Sequence, residues 1–160
     1  MESVDTGRVC FNPEGFKAFL ITLQDTYKSA GSAMIFQMSQ RYAEYLISEL
    51  YPLEEDEYED LLEAIDKRFR HLRNLGWGEF KVTRYDHEEG VVMVQGKIGF
   101  SSLSCGEKDD AMCLFIKGGL VGGVGSILNK DFEIHLEDCV ENEDRIECLF
   151  KLKTDNLSSI

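Results

Sequence analysis

Between Ala111 and Leu128 the chain carries one charge, Lys117, and five glycines: Gly118, Gly119, Gly122, Gly123 and Gly125. Read as a helix, each glycine costs about 1 kcal/mol relative to alanine. A helix keeps that many only if the missing side chains let something approach its backbone. Close packing on a sheet, a neighbouring helix or a second subunit is the simplest reason. A phosphate loop is excluded, because no Gly-Lys-Ser/Thr follows the last glycine. A dinucleotide loop is excluded too, because the glycines do not bridge a strand end and a helix start. The run falls short of the about 20 apolar residues of a bilayer span, so it reads as a buried helix.

A chain of 160 residues forms one domain with a real core. Its formal charge of −13 opposes binding to nucleic-acid phosphates and to anionic membranes, so neither partner is expected. The opening Met1-Glu-Ser-Val-Asp-Thr6 has no secretory character. Together with five cysteines, an odd number, this predicts a cytoplasmic protein with free or metal-bound thiols.

Residues 8–11 read as a short lead-in strand. Asn12 followed by Pro13 is a helix start, and Phe16, Phe19, Leu20, Leu23 and Tyr27 line one face of a helix ended by Gly31. Ser32 is placed to cap a second helix, with Ile35, Met38, Tyr42, Leu46 and Leu50 as its core stripe and Pro52 as its stop. The acidic run Glu54–Asp60 opens a third helix and suits its positive dipole end. Tyr58, Leu61, Leu62, Ile65, Phe69 and Leu72 form the stripe of that helix, and Gly76 its C-cap. The period then changes to strands over Phe80–Tyr85 and Val91–Phe100, joined through Gly90. A polar loop over 101–109, the glycine helix over 110–128 and strands over Lys130–Val140 and Arg145–Lys153 complete the chain, with a frayed tail from Thr154. The predicted class is α+β: an antiparallel sheet against a helical layer, with a C-terminal glycine-rich helix and a cysteine-carrying hairpin. One domain spans 1–160, helical over about 12–76 and sheet with cysteines over about 79–153.

Conventional catalytic groups are sparse. No serine elbow, Cys-x-x-Cys or helical His pair is present. His71 falls on a basic helix face and His87 in a hairpin loop, both solvent positions. Cys113, Cys139 and Cys148, with Glu137, make a candidate tetrahedral zinc set; the alternative is plain buried thiols. Strand alternation puts Glu137, Cys139 and His135 on one face. His135 is either a substitute ligand or a surface residue.

Leu75-Gly-Trp-Gly78, then Cys113-x-Phe-x-x-Gly118-x-Leu-x-Gly-Gly, then Glu137, Cys139 and Cys148-x-Phe150 resemble the 4-vinyl reductase domain family. That family resembles in turn the sensor domains of aromatic-responsive activators and, more distantly, nitric-oxide sensors and TRAPP subunits. The resemblance covers nearly the whole chain and is specific in its last eighty or so residues. It implies a pocket between helices and sheet, binding of a small hydrophobic, aromatic or hydrocarbon ligand, homodimerisation, and a structural zinc on Cys113, Glu137, Cys139 and Cys148. The family spacing is Glu-x-x-Cys, whereas this chain has Glu137-Asp-Cys139; a one-residue bulge reconciles the two. The expected function is a non-enzymatic ligand-binding or sensing module. A zinc- or thiol-dependent enzyme acting on a tetrapyrrole or aromatic compound, and an assembly subunit without a small ligand, are the alternatives. An apolar cavity of about 300 Å³ or more is expected, with Trp77 and Phe100 at its sheet end.

Overall fold

A computed structural model describes residues 13–74, 76–98, 110–143 and 145–154. The elements are α1 (Pro13–Tyr27), α2 (Ser29–Tyr45), a π-helical turn (Leu46–Leu50), a 3₁₀ turn (Glu55–Tyr58), α3 (Leu61–Asn74), β1 (Glu79–Asp86), β2 (Val91–Ile98), α4 (Ala111–Leu128), β3 (Phe132–Asn142) and β4 (Arg145–Thr154). The lead-in strand, the Asn12 cap, the loop over 101–109 and the tail beyond Thr154 lie outside the described residues. So do Leu75, Phe100, Cys10 and Cys105.

The glycine segment forms the expected buried helix. Asp110 caps it, its carboxylate accepting from the Met112 and Cys113 N–H groups at 3.0 and 3.2 Å. Asn129 ends it in the left-handed conformation at φ 52°. α4 is buried on nearly every side, which explains why its sequence shows no polar face. A Cβ on Gly118 would strike the Phe36 carbonyl, and one on Gly122 the Gln40 carbonyl. The backbone of α2 therefore lies directly on α4, and these glycines serve contact within the chain. Between them the buried Ser39 hydroxyl donates to the Phe115 carbonyl, so its own polar group is paired.

The break between the first two helices falls at Lys28, not Gly31. Lys28 takes φ 52°, and α2 begins at Ser29. Gly31 is instead inside α2, pressed on the Leu23 carbonyl of α1. The acidic run also differs from expectation. It forms a separate 3₁₀ turn, and only Asp60 caps α3, accepting from Leu62 and Glu63 N–H. Gly76 ends α3 as read, at φ 82°.

The sheet order is β1-β2-β4-β3, antiparallel throughout. Its inner face (Val92, Val94, Ile98, Ile146, Phe150, Leu152) joins Ala64, Ile65 and Phe69 of α3, Ile35 of α2, Leu20 of α1 and the apolar body of α4 in one core. Burying each such side chain as fully as Leu20 or Ile35 contributes about 1.5–3 kcal/mol. Both edge strands carry a register shift, between Val82 and Arg84 and between Leu136 and Asp138. The second shift inverts strand parity: Phe132, Ile134 and Leu136 face inward, then Cys139 does, while Glu137 is exposed. The expectation that Glu137, Cys139 and His135 share a face is corrected by this bulge.

Several stripe residues are also corrected. Phe19, Tyr27, Met38, Tyr42, Leu50, Tyr58 and Leu62 are exposed. The inward line of α2 is Gly31, Ile35 and Ser39. Small residues occupy two of those three places because α1 comes close at Gly31 and α4 at Ser39.

Candidate functional site

Three helices and one edge of the sheet leave an apolar cavity. Ser39, Tyr42 and Ala43 of α2 line it, followed by Leu46 and Ile47 of the π turn. Ile65, Arg68, Phe69, His71 and Leu72 contribute from α3, Phe80 from β1, and Phe115, Gly119, Leu120, Gly123 and Ile127 from α4. Its volume is about 120 Å³, smaller than the expected 300 Å³. Apolar cavities of roughly 150 Å³ hold one benzene ring, so the space fits a ligand of about one ring.

The glycine helix shapes this space as well as the core. Gly118 and Gly122 face α2, whereas Gly119 and Gly123, one residue on, face the cavity. A Cβ on Gly123 would meet nothing within 4 Å. The π turn sits at the rim, where an inserted residue re-aims Leu46 and Ile47 toward the space.

An aromatic cluster forms part of the cavity wall through Trp77 and Phe115. Trp77 stacks on Phe115 with centroids 5.2 Å apart and planes 21° apart. Phe16 of α1 sets its edge against both rings, at 5.8 and 5.0 Å. Trp77 is the chain's single tryptophan, so its emission reports on this wall.

Arg68 is the charged group of the cavity wall. Its two terminal nitrogens reach both Glu57 carboxylate oxygens, and also the Tyr51, Pro52 and Ala64 carbonyls. This ties the segment after the π turn to α3. The guanidinium, the Glu54 N–H and Lys67 hold the Glu57 carboxyl far below its ordinary value of 4.5. A carboxylate favoured by the fold contributes fully above about pH 4.5, and its contribution fades as the pH falls below that. The expected result is that Glu57→Gln is less stable than the unmodified protein at about pH 7 but loses less stability on going to about pH 3. Denaturant titrations at the two pH values check this; parallel losses in both proteins contradict it.

His71 is not the solvated residue its basic neighbourhood suggests. It is half-buried, lines the cavity, and packs against Tyr51 with centroids 4.4 Å apart. Sequence reasoning missed both Arg68 and His71 as pocket residues. The available signal was their position within the apolar stripe between Ile65 and Leu72, one turn apart on one face.

The cysteines lie elsewhere. Cys139 and Cys148 are direct cross-strand partners on the inner face, with sulfurs 2.9 Å apart. Cys148 and Cys113 are buried, Glu137 is exposed on the bulge, and His135 is an exposed side chain facing Glu133 at 3.9 Å. Among the described residues no three His, Cys, Asp or Glu side chains are grouped to hold one metal ion. The thiol pair alone does not supply the four ligands of a structural zinc. None of the three described cysteines lines the cavity.

No protein-family model matches the chain, and no curated protein matches it in sequence. Solved structures do. The phenol-responsive sensory domain of the transcription activator PoxR, with phenol, superposes with a TM-score of 0.61 at 12% identity, covering 92% of this chain and 76% of that one. Trafficking protein particle complex subunit 3 from Naegleria fowleri, covalently bound to palmitic acid, gives 0.60 at 16% identity, covering 88% and 92%. An oxygen-binding H-NOX domain related to soluble guanylate cyclases gives 0.59 at 8% identity, covering 94% and 78%. The chain has the fold shared by these three proteins. The wider relatives implied by the sequence resemblance are thus present at the level of fold.

Proposed function

We propose that this chain is a small-molecule binding module of sensor type, which takes an apolar ligand of about one ring between α2, α3 and α4. The observation that carries the reading is the cavity: about 120 Å³, walled almost wholly by apolar side chains, with a stacked Trp77–Phe115 pair at one side. Two of the fold relatives carry small molecules, phenol in one and oxygen in the other, and the third carries a fatty acyl chain. That agrees with a fold suited to apolar guests. An assembly subunit without a ligand has no use for glycines that keep the space open. A tetrapyrrole needs more room than this space of about 120 Å³ offers, and none of the three described cysteines lines it. Binding as described is complete without zinc.

Thermal denaturation with ligands of increasing size tests the proposal. Benzene and toluene are expected to raise the melting temperature in proportion to the logarithm of concentration, while anthracene has no effect. No shift with any of them contradicts the reading.

The same module pairs with a second copy through the outer face of α2. Met34, Met38, Tyr42 and Tyr45 are each 43–54% exposed, and their spacing of four, four and three residues makes one apolar seam. Such a seam suits helix-to-helix packing with a symmetric partner. Light scattering is expected to give a dimer for the unmodified protein and a monomer for the Met38→Glu, Tyr45→Glu double variant. A monomer in both cases contradicts the pairing.

A further inference from the structure

Cys139 of β3 and Cys148 of β4 are direct partners in the antiparallel ladder, flanked by the pairs Asp138–Leu149 and Val140–Glu147. Their sulfurs lie 2.9 Å apart. Residues directly opposite on antiparallel strands have Cα atoms about 4.5–5.5 Å apart, inside the range of roughly 4.4–6.8 Å that a disulfide bridges. The two sulfurs need approach by less than about 1 Å to reach bonding distance. Two buried hydrophobes need no partner of their own kind, whereas a crosslink needs this one.

The bulge makes the pairing. The register shift between Leu136 and Asp138 turns Cys139 toward the inner face, where Cys148 stands. β3 is an edge strand, hydrogen-bonded in the sheet to β4 alone, so Cys139 can close on Cys148 without displacing a further strand. The two thiols differ in access. Cys148 is only 5% exposed, whereas Cys139 is half-buried. A reagent from solution therefore meets Cys139 first, and Cys148 is placed to resolve the product.

We infer that Cys139 and Cys148 are a redox-active pair, which forms a reversible disulfide stapling β3 to β4 with a small-molecule disulfide as oxidant. The Cys139 thiolate attacks one sulfur of the oxidant, giving a mixed disulfide and releasing one small thiolate. The Cys148 thiolate then attacks the Cys139 sulfur and expels the second. The protein gives up two electrons and two protons, and the oxidant becomes two thiols. The formal charge of −13 favours a neutral oxidant over an anionic one. Neither cysteine lines the cavity, so the staple does not depend on ligand binding.

Hydroxyethyl disulfide, which is neutral, tests the pair. Reduced protein is equilibrated with mixtures of this oxidant and 2-mercaptoethanol. Remaining thiols are then alkylated and crosslinks mapped by peptide mass spectrometry. The native protein is expected to lose two thiols, those of Cys139 and Cys148. The formation constant of this disulfide is expected to be at least about tenfold larger in the native protein than in the urea-unfolded chain, because the fold holds the sulfurs together. The crosslink raises the melting temperature by a few degrees, and dithiothreitol reverses the rise. In Cys148→Ser, Cys139 is expected to stop at the mixed disulfide with 2-mercaptoethanol. Equal formation constants in native and unfolded protein, a crosslink mapped to any other pair, a mixed disulfide persisting on Cys139 of the unmodified protein, or an unreacted Cys139 in Cys148→Ser overturns the inference.

Discussion

Alanine at Gly122 is expected to lower the melting temperature by roughly 2–10 °C, and alanine at the adjacent Gly123 to raise it by a few degrees. The two positions differ in what their missing side chains face. A Cβ on Gly122 would collide with the Gln40 carbonyl, which belongs to the backbone of α2 and cannot rotate aside. The helices must then separate, and the Ser39 to Phe115 hydrogen bond beside them is strained. Overpacking of this kind costs about 1–3 kcal/mol. A Cβ on Gly123 meets open space, so alanine there gains only the helix-propensity benefit of about 0.5–1 kcal/mol. Valine at Gly122 should be worse than alanine. Thermal denaturation of the two alanine variants settles the matter, because similar shifts at both sites contradict the close contact of α2 and α4.

The second large effect concerns ligand binding. Gly123→Leu places a branched chain where the cavity wall is now open, and the space of about 120 Å³ has little room for both that side chain and a ring. The variant is expected to fold, since nothing stands within 4 Å of the new Cβ, and to lose ligand binding. A ligand at about 100 times its Kd stabilises the unmodified protein by about 2.7 kcal/mol. That corresponds to a rise of roughly 5–10 °C for a domain of this size. The same concentration of toluene should leave the melting temperature of Gly123→Leu unchanged. An equal rise in both proteins places the ligand elsewhere.

Most of the architecture was legible because local signals agreed with the fold. The change of period after Gly76 marks where helices give way to the sheet, and Gly76 and Gly90 both take positive φ at the turns they punctuate. The glycine helix announced close packing, and its charge-free run announced burial. What stayed hidden was set by contacts distant in sequence. Gly31 reads as a helix end, but α1 needs a glycine opposite the Leu23 carbonyl, so the break moved to Lys28. Met38 and Tyr42 read as core because α2 is apolar on more than one side; its fully buried positions are Gly31, Ile35 and Ser39.

The site was less legible than the fold. The extra residue in β3 leaves no mark in composition, yet it turns Cys139 inward and leaves Glu137 exposed. The sequence spacing had raised this bulge as a way to bring Glu137 and Cys139 into register, and what it assembles is a pair of cross-strand thiols. Arg68 and Glu57 are eleven residues apart and meet only because the chain doubles back after the π turn. On sequence alone Arg68 belonged to a basic helix end and Glu57 to an acidic helix start, each explained by the helix dipole.

The central claim is that the space between α2, α3 and α4 is a binding site for a one-ring apolar ligand. The most direct measurement is the emission of Trp77 during a toluene titration, in the unmodified protein and in Gly123→Leu side by side. A saturable change in the unmodified protein and none in the variant is the predicted result. No change in the unmodified protein, or the same non-saturating drift in both, contradicts the claim.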